Sequence, residues 1–91
     1  MNRPWEADPQ GQAAVATDRI AGSLPRIALA RVTLRAPYIS DFEDYAKIVC
    51  TERGQYVDGP MSRDDAWLDF NQLVAGWLLR GAGLWTVVRN D

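Results

Sequence analysis

The chain contains no histidine and a single cysteine, Cys50. Ser-His-Asp and Cys-His relays, and metal sites built on histidine, are therefore outside its chemistry. What remains is a short set of candidates. Asp64, Asp65 and Asp69 form an acidic group that could ligate a metal or supply a general base. They also open a helical pattern, where the dipole and solvent both favour carboxylates, and a solvated helix start is the better account. Trp67, Phe70 and Trp77 could stack on a planar ligand, but their helical spacing reads as core. Cys50 has Lys47 and Arg53 as its nearest basic residues in sequence, a setting for a passive thiol. No metal ligand set and no catalytic residue emerge.

The elements that would position these residues begin near residue 24. Ala30, Val32, Leu34 and Ala36 alternate with Arg31, Thr33 and Arg35, the period of a half-buried strand, and Pro37 ends it. Ser40-Asp41-Phe42-Glu43 has the form of a capping box, with Ile39 as its staple. Phe42, Tyr45, Ala46 and Val49 then mark one helix face over Asp41–Glu52, with Gly54 as a stop. A loop from Arg53 to Met61 holds Gly54, Gly59 and Pro60. A second helix is predicted over Arg63–Arg80, capped by Ser62 and Gly81, with a broad apolar stripe of Ala66, Trp67, Phe70, Leu73, Val74, Trp77 and Leu78. Leu84–Arg89 reads as a strand apolar on both faces, suited to an interior position. Asn90-Asp91 is turn chemistry that normally leads into a partner strand.

At 91 residues the chain can hold one small domain, and its four tryptophans can anchor a core. Its net charge of −2, with one lysine and nine scattered arginines, gives no drive toward nucleic acid. No apolar run is long enough to cross a bilayer, the first residues lack the uninterrupted apolar core of a signal peptide, and a lone cysteine suits a reduced compartment, so no membrane role and a cytoplasmic location are expected. Residues 1–23 lack apolar periodicity and read as a flexible tail, with at most a helical turn or two over Ala13–Ile20. Residues 24–91 form the structured part. The expected fold class is α+β in the order β-α-α-β: two antiparallel strands with two helices, preceded by the disordered tail.

Ala30-Arg-Val-Thr-Leu-Arg-Ala-Pro37 followed by Ser40-Asp-Phe-Glu-Asp-Tyr45 resembles the opening of GNAT-type N-acetyltransferases, where a strand of the type RLxLRxP leads to a helix beginning xxDxxxY. Gly81-Ala-Gly-Leu-Trp85 is similar to the GxGxW start of that family's next strand. The likeness covers Leu24 to Asp91. It implies the N-terminal portion of a GNAT domain, with acetyl-CoA as the family's cofactor and an amine of unknown identity as acceptor. It also implies that the inter-helix loop shapes the acceptor pocket, which makes Arg53 and Tyr56 the candidate substrate-binding residues.

The family's acetyl-CoA loop, of the type Gln/Arg-x-x-Gly-x-Gly/Ala, is not matched. Arg80-Gly81-Ala82-Gly83 is followed by Leu84-Trp85, and it ends a helix rather than starting one. The resemblance therefore implies a truncated N-acetyltransferase, inactive alone, whose cofactor-binding half would follow Asp91, with no acetyl-CoA bound by this chain. A small non-enzymatic interaction module or a gene remnant is the alternative. In either case strand 84–89 would offer an edge for self-association.

Overall fold

The computed structural model describes residues 3–50 and 61–90. Among these the chain is α+β, with three α-helices and one three-stranded antiparallel sheet. It divides into two compact units, Met1–Ser40 with Trp85–Asp91, and Asp41–Leu84.

The first unit carries α1 (Gln12–Ser23), β1 (Arg26–Ala28), β2 (Val32–Arg35) and β3 (Thr86–Arg89). Two of these elements correct the sequence reading. The stretch expected to be a flexible tail contains α1, which starts after Gly11 at φ +60° and ends at Ser23. Its Ala-rich sequence has high intrinsic helix propensity but buries no residue, so it left no periodic signal. Trp5 sits in a single 3-10 turn, Pro4–Glu6, and is exposed.

The second correction is β1. The expected strand from Ala30 is interrupted: Ala30-Arg31 is the two-residue loop of a hairpin, closed by the Leu29 amide donating to Val32 O at 2.8 Å. β1 pairs with β2 in the register Arg26↔Arg35, Ile27↔Leu34, Ala28↔Thr33. Alternation runs straight through this turn, and neither loop residue is Gly, Asn or Asp, so nothing in the local sequence marks it. The sheet therefore has three strands in the order β1-β2-β3. β2 is central, and its pairing with β3 is antiparallel, as expected, with Leu34 opposite Val87.

The last strand is apolar on both faces, which suits an interior position in a larger sheet, and in this chain it was expected to present an edge. Among the described residues it is an edge, with Val87 61% exposed. Two-sided apolarity reports side-chain chemistry and cannot count neighbouring strands. Asn90 follows the strand and is held by the opposite hairpin. Its amide donates to Arg31 O at 2.9 Å and its side-chain nitrogen to Leu29 O at 2.7 Å, so it clamps the β1–β2 hairpin.

The second unit carries α2 (Phe42–Val49) and α3 (Arg63–Arg80). The capping box does not form. A 3-10 turn, Ile39–Asp41, precedes α2, and Asp41 is the N-cap without a side-chain cap bond. Glu43 is instead drawn to α3, where it accepts a hydrogen bond from Arg63 Nη2. Cys50 closes α2, donating its amide to Ala46 O at 2.8 Å. The expected continuation to Glu52 and the stop at Gly54 lie outside the described residues.

The bounds of α3 match expectation. Ser62 Oγ accepts from the Asp65 amide at 3.2 Å, and Gly81 takes the left-handed cap at φ +73°. Phe42, Ala46 and Val49 of α2 pack against Ala66 and Phe70 of α3 as the core, with Phe42 only 2% exposed. Burying such a phenylalanine is worth about 2–3 kcal/mol. The apolar stripe of α3 is narrower than its sequence suggests: Leu73 and Leu78 are exposed. With its 8 residues α2 covers only part of an 18-residue helix.

Beyond that reach the chain itself returns. Trp77 Nε1 donates to Leu84 O at 2.8 Å, and the Leu84 amide meets Leu73 O at 3.4 Å. Glycine is required at this crossing. A Cβ on Gly83 would lie 2.6 Å from Leu73 O, and one on Gly76 would lie 2.4 Å from Ala82 O.

Candidate functional site

The sequence-derived candidates do not converge. Arg53 and Tyr56 lie outside the described residues. Of the acidic set, Asp69 accepts a hydrogen bond from the Tyr45 hydroxyl, while Asp65 takes part in the N-cap of α3. Among the described residues no group of three His, Cys, Asp or Glu side chains could hold a metal. Trp67 and Phe70 are committed to packing: Phe42 meets Trp67 edge-on at 5.0 Å and Phe70 at 5.4 Å between ring centroids.

Cys50 is half-buried beside this core. Burial pushes its thiol up from the ordinary value, against an opposing pull from Arg63. A thiol in that setting is a poor nucleophile. The segment Arg80-Gly81-Ala82-Gly83 is a helix end and connector. The amides of Gly81 and Ala82 both turn back to Gly76 O, so they are spent on the cap and do not face an anion.

A cleft that the sequence reading missed lies within the first unit. It encloses about 420 Å³, between α1 with the segment before it and the strand residues that run into Pro37–Ser40. Small-molecule sites commonly have this size. Its apolar lining comes from Leu24, Pro25, Ala36, Pro37 and Ile39, together with Ala21 and Gly22 of α1. Its charged groups are Asp8 and Asp18 on the helix side and Arg26 and Arg35 on the sheet side.

The two arginines are directly opposite in the β1–β2 register. Like charges at such a pair repel. Arg35 is held by its neighbours: its guanidinium carbon lies 3.8 Å from the centre of the Tyr38 ring, and its Nη1 donates to Ala36 O at 3.2 Å. Thr17, also on the rim, spends its hydroxyl on Ala13 O at 2.8 Å. What the cleft offers is mixed charge together with an apolar lining. No residue in the sequence announced it, because it depends on α1 and β1.

No protein-family model, curated protein or solved structure matches the chain. Among the described residues no helix is long and apolar enough to cross a membrane.

Proposed function

We propose that residues 24–91 are the N-terminal portion of a GNAT-type N-acetyltransferase domain, whose full-length relatives transfer acetyl from acetyl-CoA to an amine acceptor. One observation carries the reading: β2 and β3 are antiparallel neighbours and bracket two helices, in the order the resemblance implies. This is an argument from fold and motif order, and it assigns no catalytic residue. In this reading Arg53 and Tyr56 belong to the acceptor side, and the chain by itself neither binds acetyl-CoA nor catalyses transfer.

The test is the coding sequence beyond Asp91. The proposal predicts a continuation, in frame or one frameshift away, that encodes a Gln/Arg-x-x-Gly-x-Gly/Ala loop ahead of a helix. An unrelated continuation would refute it. Calorimetric titration of the chain with acetyl-CoA is a second check, with no micromolar binding expected. Such binding, abolished by changing Arg80, would overturn the reading of residues 80–83 as a connector.

A second reading, a non-enzymatic interaction module, is favoured by the exposed edge of β3. Val87 there stands clear of cover, and among the described residues β3 pairs with β2 alone.

A further inference from the structure

We infer that the cleft of the first unit is a binding site for a small zwitterion, a free α-amino acid with an apolar side chain. The inference is independent of the acetyltransferase reading. Arg26 and Arg35 occupy directly opposed positions on adjacent strands, and both line the cleft. Their Cβ atoms are about 5 Å apart at such a pair, where two like charges disfavour the sheet. An anion seated between the guanidinium groups removes that repulsion and gains charge-assisted hydrogen bonds. A carboxylate suits the planar donor geometry of arginine.

The helix side of the cleft has the complementary sign. Asp18 of α1 and Asp8 before it line the same cleft. Neither carboxylate, nor the Arg26 side chain, has an ion pair among the described residues. The helix residues and the strand residues therefore offer anchors of opposite charge to one space of about 420 Å³. A ligand with a carboxylate and an ammonium group satisfies both; a simple anion or amine satisfies one. The same lining includes Leu24, Pro25, Pro37 and Ile39, apolar surface that suits an apolar side chain on the ligand.

Three probes separate the components: L-leucine, N-acetyl-L-leucine, which lacks the ammonium group, and L-leucinamide, which lacks the carboxylate. Each is titrated into the full chain and followed by amide chemical shifts. Saturable shifts with leucine are expected at cleft residues, with each blocked analogue about tenfold weaker, the scale of one charge-assisted hydrogen bond. Arg26→Gln should erase the preference for leucine over leucinamide and leave leucinamide binding unchanged. Asp18→Asn should erase the preference over N-acetyl-leucine. Both positions are exposed, and unchanged spectra away from the cleft verify folding. Equal binding of all three probes, shifts confined to residues outside the cleft, or no saturation by about 10 mM leucine would each overturn the inference.

Discussion

The Thr33 hydroxyl donates to Asn90 Oδ1 at 2.7 Å, joining the central strand to the residue that follows the last one. Thr33 is only 7% exposed, so this contact keeps a buried polar group satisfied. Removing the acceptor leaves the hydroxyl unpaired at a cost of about 1–3 kcal/mol, whereas removing both partners costs less. Asn90→Ala should therefore destabilise the chain more than the double variant Thr33→Val/Asn90→Ala does relative to Thr33→Val. Urea unfolding of the four proteins completes the cycle. Strict additivity would show that the two side chains do not interact.

Glycine substitutions should divide by place. Gly83→Ala and Gly76→Ala drive a Cβ into backbone at 2.6 Å and 2.4 Å, and the backbone cannot swing aside as a flexible side chain could. Each should lose about 1–3 kcal/mol. Gly22→Ala, in α1 with nothing within 4 Å, should be neutral or gain a few tenths of a kcal/mol from helix propensity. Thermal melts of the three variants rank them.

The pH response of the second unit should carry a signature of Glu43. The hydrogen bond from Arg63 holds this carboxyl below its ordinary value of 4.5. A depressed folded-state value stabilises the fold above the unfolded value, and that contribution is lost as pH falls through the folded one. Glu43→Gln should therefore lower the urea midpoint slightly at neutral pH, and the difference from wild type should vanish in acid. A difference that grows toward low pH would contradict the sign. The effect is small, since the pair is solvent-exposed.

Self-association should run through β3. Its outer edge presents a strand with Val87 and Val88 exposed and few charges to discourage pairing. Sedimentation at several concentrations should show a mass that rises with concentration, and Val87→Lys should suppress the rise. A concentration-independent monomer would remove β3 as a docking edge.

Much of the second unit was legible because its signals are local. Ser62 and Gly81 mark the ends of α3 by their own chemistry, and Phe42, Ala46, Ala66 and Phe70 fall on helical periods. The pairing of β2 with β3 was legible from alternation and order. The rest of the first unit was not. α1 has propensity without a buried face, and Ala30-Arg31 makes a turn from residues that usually do not. The capping box failed because Glu43 found a partner 20 residues away. β2 buries Thr33 because Asn90 satisfies it, 57 residues on. The capping box yielded to a long-range partner, whereas α1 and the Ala30-Arg31 turn carried no local signal to read. The cleft was invisible for the same reason: its two arginines become neighbours only once the hairpin forms.

The pairing of β2 with β3 supports both the sheet and the proposed function, and it can be measured directly. In nuclear Overhauser spectra of the isotope-labelled chain, cross-strand backbone contacts should link Thr33 with Val88 and Leu34 with Val87, in the antiparallel register. Contacts shifted by one residue, or a residue 86–89 segment with no contact to 32–35, would contradict the account.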